Sequence, residues 1–194
     1  MTVIKNLCIY CGSSTGNDPS FAAAAERLGA LMAKNGVGLV YGGGRVGMMG
    51  VIADSVLRGG GRVRGIIPRH LQAKEVGHDK VTELIIVESM HERKNKMSEL
   101  ADAFAVLPGG LGTLDETFEI ITWKQLRLHD KPILLIDVDG YWKPLEHLIN
   151  SIVDRGFAHD DCTKLFTIVP GIDDVFPTLE AMPAPRFGAV PDRT

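Results

Sequence analysis

Residues 103–116, AFAVLPGGLGTLDE, join a short apolar run to a glycine-rich turn and then to the start of an amphipathic segment. The run Ala103 to Leu107 predicts a buried strand, and the segment from Thr113 to about Leu128 predicts a helix. Glycines let a backbone approach a ligand closely, and the first N–H groups of a helix have no partner inside it. Because these groups and the helix dipole favour an anion, the stretch predicts a phosphate site.

Glu116 lies one helical turn beyond the glycines and places an acid close to this phosphate site. The loop is not a Walker P-loop, because no lysine follows Gly112 to reach a β- or γ-phosphate, and this favours a monophosphate. An acid beside a phosphate site indicates chemistry on a nucleotide. Thr113 and Glu116 also fit a capping box, in which each side chain bonds to the backbone N–H of the other. Both roles of Glu116 stay open at this point.

A second informative stretch, SMHERKNKM at residues 89–97, follows an apolar run at 84–87 and begins another helix. A Ser-x-x-Glu capping signal marks its start. Arg93 and Lys94 fall in the first turn and a half, where the helix dipole disfavours cations, so they indicate an anionic partner. A solvated face is the alternative for such a basic pair.

Apolar strand-like runs alternate with helical patterns along the chain, which predicts an α/β protein with a Rossmann-like three-layer fold: a mostly parallel central sheet with helices on both faces. The predicted strands are Ile4 to Tyr10, Gly38 to Tyr41, Val63 to Ile67, Leu84 to Val87, Ala103 to Leu107, Ile133 to Val138 and Phe166 to Val169. The predicted helices start at Asp18-Pro19 and run over Met48 to Arg58, Met90 to Ala101, Thr113 to Leu128, Trp142 to Asp154 and Asp173 to Glu180. We expect one domain over residues 1–181 and an extended or mobile tail over 182–194.

The two informative stretches together resemble the LONELY GUY family of cytokinin riboside 5′-monophosphate phosphoribohydrolases. The resemblance rests on MHxRKxxM at residues 90–97, followed by PGGxGTxxE at 108–116. Shorter matches are CGSS at 11–14, YGGG at 41–44, ITW at 121–123 and HDKP at 129–132. The resemblance covers roughly Val3 to Phe157.

The resemblance implies hydrolysis of the N-glycosidic bond of an N6-modified AMP, which releases the free base and ribose 5-phosphate. It makes Arg93 and Glu116 the catalytic pair. The residues that we expect to bind the substrate are Ser14, Gly44, Met90, Lys94, Gly109, Gly110, Leu111, Gly112, Thr113, Leu114, Asp115 and Thr122. This chain has His70 near a position where plant relatives often have a glutamate that touches the ligand, so the choice of base stays open.

The chemistry of the two residue types suits this reaction independently of the family. Cleavage of a nucleoside bond builds positive charge on the ribose and negative charge on the departing purine, so an acid and a cation are both useful. Glu116 could stabilise the ribose or orient water, as carboxylates do in glycoside hydrolysis. Arg93 stays charged, so an electrostatic and positional role fits it better than proton donation. No metal or cofactor is required.

Composition favours a compact enzyme with a small-molecule nucleotide substrate. The chain has 194 residues, 45% hydrophobic content and a formal charge of −3, which gives no general attraction to nucleic acid or anionic membranes. We expect no membrane span and a cytoplasmic location, because the apolar runs are short. Cys8, Cys11 and Cys162 are expected to be thiols rather than disulfide, zinc or redox groups. Since relatives are at least dimers, we expect a homodimer or higher homo-oligomer, with an interface formed by Phe118, Ile120 and Ile121.

Two alternatives compete with the hydrolase hypothesis. Residues 42–47, GGGRVG, satisfy the G-x-G-x-x-G pattern of a nicotinamide oxidoreductase. The next strand ends in 67–70, IPRH, without the acid that binds the NAD ribose, and only NADP stays open through Arg69. A non-catalytic nucleotide or cofactor carrier or sensor would keep the phosphate site without needing both Arg93 and Glu116. The name lysine decarboxylase, which some homologues carry, is rejected because no lysine has the setting of a pyridoxal phosphate site.

Overall fold

Seven parallel strands form the central sheet of the computed structural model, which describes residues 4–72 and 77–183. The strands are β1 Asn6–Tyr10, β2 Gly38–Tyr41, β3 Val63–Pro68, β4 Glu83–Val87, β5 Ala103–Val106, β6 Ile133–Ile136 and β7 Thr167–Val169. The helices are α1 Pro19–Lys34, α2 Gly47–Arg58, α3 Arg69–Gln72, α4 Met90–Leu100, α5 Leu111–Gln125, α6 Lys143–Asp154 and α7 Val175–Ala181. Short 3-10 turns occupy Asp160–Lys164 and Ile172–Asp174.

The strand order, β4-β3-β2-β1-β5-β6-β7, confirms the predicted Rossmann-like fold. The chain moves outward from β1 to β4 and then returns to place β5 on the other side of β1. This reversal makes the carboxyl ends of β1 and β5 the switch point, where open α/β sheets bind their ligands. The two loops that leave these strands are joined there, because the N–H of Gly12 donates to the carbonyl of Pro108 over 3.1 Å.

The two faces of the sheet are covered by separate groups of helices, which explains the near-continuous apolar strands. Helices α1, α2 and α7 pack with alternate strand residues on one face, and α4, α5 and α6 pack on the other. Residues of the strands β1, β2, β5 and β6 are almost all buried for this reason. Within residues 4–72 and 77–183, no helix is both long enough and apolar enough to cross a membrane.

Helix α1 begins and ends as the sequence predicts. Asp18 is its N-cap, and its side chain accepts a hydrogen bond of 2.8 Å from the N–H of Ser20, while Pro19 occupies the first helical position. Gly36 follows the C-terminus with a φ of +68°, a value that favours glycine. Gly29 lets α1 approach α2 closely, because a Cβ there would lie 2.6 Å from that of Ser55.

Several element boundaries differ from the predicted ones, and two short elements were not predicted. The last predicted helix divides into a 3-10 turn and α7, and the short helix α3 and the turn at 160–164 had no periodic pattern to indicate them. All three cysteines are free, so no disulfide joins them, and Cys8 and Cys11 are buried. The predicted tail lies outside the described residues, apart from Met182 and Pro183.

His129 fastens the C-terminal part of α5 to the start of β6. Its Nε2 donates to the carbonyl of Ile120 over 2.9 Å, and its Nδ1 accepts from the N–H of Lys131 over 3.2 Å. The next buried cation, Lys131, donates from Nζ to the carbonyl of Ser98 over 2.7 Å, near the C-terminus of α4. The HDKP motif therefore links two helices below the sheet edge opposite the switch point.

Burial of the His129 ring makes the stability of the fold depend on pH. Desolvation lowers its pKa from 6.5 to about 4, only partly opposed by the bond to Ile120. Between pH 6.5 and 4, His129 therefore binds a proton in the unfolded chain but stays neutral in the folded chain. The free energy of unfolding falls over this pH range by on the order of 2–3 kcal/mol.

His129→Gln keeps a donor towards Ile120 but cannot ionise, so its free energy of unfolding should vary less with pH in this window. Denaturant melts at several pH values measure the slope. Exposed His147 supplies the control, since His147→Gln should keep the slope of the unmodified chain. An equal slope in the His129 variant would contradict this account.

Candidate active site

The segments that follow five strands, β1 to β5, meet at the switch point and enclose a cavity of about 260 Å³. The connections that hold them are backbone bonds, since Gly12 accepts from the N–H of Met48 over 3.1 Å as well as donating to Pro108. The residues that line the cavity are Ile9, Cys11, Ser13, Gly42, Met49, Leu71, Met90, Arg93, Gly110, Leu111, Gly112, Thr113, Asp115 and Glu116. Many of the predicted site residues, distant in sequence, therefore lie together.

The N-terminus of α5 forms one wall of the cavity. Gly110 is the N-cap in an extended conformation, and no side chain caps the helix. Gly109 has to be a glycine because a Cβ there would overlap the hydroxyl of Thr113. A Cβ at Gly110 or Gly112, in contrast, would meet no atom of the described chain within 4 Å. These two glycines are not needed by the packing of the protein itself, so we infer that they leave room for a ligand.

The predicted capping box of Thr113 and Glu116 is wrong. Helix α5 begins at Leu111, so Thr113 is already inside the first turn, where its backbone carbonyl accepts from the hydroxyl of Thr117 over 2.6 Å. The error arose because the glycine-rich stretch gave no apolar periodicity to show where the helix starts. Glu116 therefore does not cap α5; its half-buried side chain lines the cavity.

Cys11 and Glu116 both line the cavity, and the negative charge of the Glu116 carboxylate affects the Cys11 thiol. Burial raises the pKa of Cys11 well above its ordinary range, and the negative charge of Glu116 raises it further. Cys11 is thus a protonated thiol at the end of β1.

Arg93 reaches the same cavity from α4, although it is only 4% exposed. Its Nη2 donates to the carbonyl of Gly42 over 2.8 Å, and its Nε donates to that of Ile66 over 3.2 Å. A Cβ at position 42 would overlap the guanidinium, so Gly42 must be a glycine for Arg93 to fit. The alternative of a solvated face is wrong for Arg93, because the helix turns it towards the sheet.

Lys94 is also buried, but its bonds go to neighbouring helix side chains. Its Nζ lies 3.1 Å from Oδ2 of Asp115 and 3.0 Å from Oε2 of Glu119. Burial alone would lower the pKa of Lys94, but the two carboxylates outweigh it and the pKa is raised. This ion pair joins α4, which carries Arg93, to α5, which carries Glu116. Contact of Lys94 with a nucleotide stays a prediction.

The other predicted site residues have different surroundings. Met90 lines the main cavity, and Ser14 and Gly109 line an adjoining one of about 280 Å³, where the hydroxyl of Tyr141 donates to the carbonyl of Gly109 over 2.5 Å. Gly44 is buried in the turn after β2. Leu114 packs, half-buried, on the core, and Thr122 is exposed further along α5. Their contact with a substrate also stays a prediction.

Sequence reasoning missed several residues of the cavity. Cys11 and Ser13 line the cavity and belong to the CGSS stretch that the family resemblance already includes, although neither was named as a substrate-binding residue. Leu71 could not be found, because the short helix α3 has no recognisable pattern. The sequence did not show that Gly42 supports Arg93, because only the folded chain brings the carbonyl of Gly42 to the guanidinium. Among the described residues, no three His, Cys, Asp or Glu side chains are arranged to hold a metal ion.

The strand order and the glycine loop at the switch point define a Rossmann-like protein. Comparison of the fold agrees, since the molybdenum cofactor binding protein of Rippkaea orientalis superposes with a TM-score of 0.70 at 20% identity, over 93% of this chain and 98% of that one. A molybdenum cofactor carrier protein of Chlamydomonas reinhardtii gives 0.67 at 18% identity, over 90% of this chain and 95% of that one. These likenesses show the fold alone.

Sequence comparison identifies the family. Residues 49–179 match the family described as "Possible lysine decarboxylase". The probable cytokinin riboside 5′-monophosphate phosphoribohydrolase LOGL1 of Oryza sativa subsp. japonica is 45% identical over 90% of this chain and 78% of its own length. LOG7 of Arabidopsis thaliana, with the same enzyme name, is 42% identical over 91% and 81%. The chain belongs to the LONELY GUY family, as its motifs predict.

The glycines of the α5 N-terminus provide a test that separates folding from ligand binding. Gly112→Ala should raise the free energy of unfolding by about 0.5–1 kcal/mol, because alanine favours a helix and its methyl group meets no described atom. The same methyl group should weaken the binding of AMP, measured by titration calorimetry. Asn150→Ala, on the exposed face of α6, is the matched control and should leave AMP binding unchanged. Undiminished AMP binding by Gly112→Ala would contradict the phosphate site.

Proposed function

We propose that the protein hydrolyses the N-glycosidic bond of adenosine 5′-monophosphates, with N6-modified forms such as cytokinin riboside 5′-monophosphates as the preferred class. The products are the free base and ribose 5-phosphate. The observation that carries the proposal is that Arg93 and Glu116 line one cavity whose wall is the N-terminus of α5. The names of the related enzymes support the same reaction.

The phosphate binds, in this proposal, at the N–H groups of Leu111, Gly112 and Thr113. This remote group supplies binding energy that holds the reacting carbon in place. Met49, Leu71 and Met90 give the cavity an apolar part that suits a purine with an alkyl substituent. A nucleoside monophosphate uses both the phosphate-binding wall and the apolar part of this cavity, whereas a free nucleoside uses only the apolar part.

In the reaction, the bond between N9 of the purine and C1′ of the ribose breaks, and a water oxygen bonds to C1′. One proton of that water stays on the new ribose hydroxyl, and the other goes to the purine. Glu116 stabilises the positive charge that develops on the ribose and orients the water. Arg93 stabilises the negative charge on the departing base without giving up its own proton.

The glycine turn at 42–47 does not support the nicotinamide alternative. The carbonyl of Gly42 already binds Arg93, and Gly47 packs so tightly on Ser13 that a Cβ would overlap its backbone. The turn thus supports an arginine and a neighbouring loop. It also follows β2, whereas the dinucleotide fingerprint follows the first strand.

We also propose that the protein forms a homodimer or a higher homo-oligomer. The interface predicted at Phe118, Ile120 and Ile121 needs correction, because Ile120 and Ile121 are 1% and 8% exposed and belong to the core. Leu111, Phe118 and Leu126 instead leave apolar surface exposed along α5. Thr122 lies on the same side of the helix, so a second copy packed there would cover it.

Release of base from AMP and from N6-isopentenyl-AMP, followed by chromatography, tests the reaction directly. The matching ribosides, which lack the phosphate, should react with a catalytic efficiency lower by at least about a hundredfold, because the α5 N-terminus binds nothing in them. Base released from neither monophosphate would refute the hydrolase and leave a carrier or sensor. Equal efficiency on monophosphates and ribosides would refute the phosphate site alone.

The catalytic pair is tested with two conservative variants. Glu116→Gln keeps the shape of the side chain but removes its charge, and kcat should fall by at least about a hundredfold with little change in Tm. Arg93→Lys keeps the charge but loses the planar pair of bonds to Gly42 and Ile66, and should also lose most activity. Glu146→Gln, at an exposed site on α6, is the control. Normal turnover in either site variant would remove that residue from the mechanism.

A further inference from the structure

His78 is a fully buried histidine that does not line the cavity and belongs to none of the predicted site residues. Its Nδ1 accepts from the N–H of Lys80 over 3.3 Å, so the ring proton is on Nε2. Nε2 lies 3.0 Å from Oδ1 of Asp54, on α2, and donates to it. Both ring nitrogens thus have partners, as a buried imidazole requires.

The backbone of His78 holds the turn on which Arg93 rests. Its N–H donates to the carbonyl of Gly43 over 3.1 Å, and Gly77 beside it pairs with Gly44 in an antiparallel bridge. The carbonyl of the preceding residue, Gly42, is the one that accepts from Nη2 of Arg93. Two successive carbonyls of one turn therefore bond to the arginine on one side and to His78 on the other.

The turn needs such support because its own residues make few packing contacts. Three consecutive glycines have no side chains to pack, and Gly43 has a φ of +78°. It also lies close to β3, where a Cβ would be crowded at 3.1 Å from the side chain of Ile67. The ring of His78 supplies the missing anchor by fixing its own backbone to α2 through Asp54.

We propose that His78, oriented by Asp54, is a positioning residue for Arg93. It keeps the carbonyl of Gly42 where that carbonyl directs the guanidinium into the cavity. Its effect on turnover rests on the proposed function, and its effect on the position of Arg93 does not. A displacement of a catalytic group by a fraction of an ångström is enough to slow a reaction without removing substrate binding.

Amide isosteres of histidine separate the two ring bonds. His78→Asn keeps an acceptor near Nδ1 for Lys80 but loses the donor to Asp54, whereas His78→Gln keeps a donor near Nε2. Asp54→Ala removes the acceptor from a half-exposed site, so it should fold even if His78→Asn is unstable. The double variant His78→Asn with Asp54→Ala tests whether both act through one bond.

We expect His78→Asn and Asp54→Ala to lower kcat on AMP by about tenfold with less than a twofold change in KM, because the phosphate binds at α5. His78→Gln should recover most of the loss, and the double variant should be no slower than its parents. Val56→Ala, in the buried face of the same helix, is the control for lost stability, with a lower Tm and unchanged kcat. If kcat in His78→Asn and Asp54→Ala equals that of Val56→Ala, His78 is only a packing residue and the proposal is overturned.

An NMR measurement keeps this inference testable apart from the reaction. The side-chain Nε–H resonance of Arg93, which bonds to Ile66, is assigned by its loss in Arg93→Lys. It should shift in His78→Asn and in Asp54→Ala but not in Val56→Ala. If the Arg93 resonance does not shift in either His78→Asn or Asp54→Ala, the positioning role is overturned. If the resonance shifts in these variants but the unmodified protein releases no base from AMP, only the proposed function is refuted.

Discussion

The buried guanidinium of Arg93 is the constraint on which the arrangement of the site depends. A charge removed from water has to be compensated by hydrogen bonds, and here two backbone carbonyls, of Gly42 and Ile66, take part in that compensation. Gly42 directly follows β2, and Ile66 lies near the carboxyl end of the adjacent strand β3. The arginine therefore requires a glycine at 42, a helix that directs it inward and a sheet edge to receive it.

Much of the fold could be predicted because each element has a local physical signal. Parallel strands buried on both faces appear as apolar runs, and α1 and α4 begin at side chains that cap a helix. The start of α5 was misplaced because its first turn contains glycine and exposed leucine rather than an apolar stripe. The short helix α3 was invisible because one turn is too brief to show periodicity.

The candidate site was predictable only in part, because sequence shows which residues are present and not which way they face. Arg93 and Lys94 are neighbours, yet one bonds to the sheet and the other joins α4 to α5. Ile120 and Ile121 looked suitable for an interface but complete the core. His78 gave no motif at all, since its importance comes from a backbone bond to Gly43 that only the folded chain brings about.

The same fold serves molybdenum cofactor binding proteins, so the architecture by itself does not select a function. The choice lies in a few positions, and two of them are physically inseparable. The space that a side chain would fill at position 42 is taken by the guanidinium of Arg93. Selection that keeps the arginine must keep the glycine as well, whereas a lineage that abandoned the arginine would release position 42 to drift. Divergence within this fold should therefore leave a record of paired replacement at these two positions.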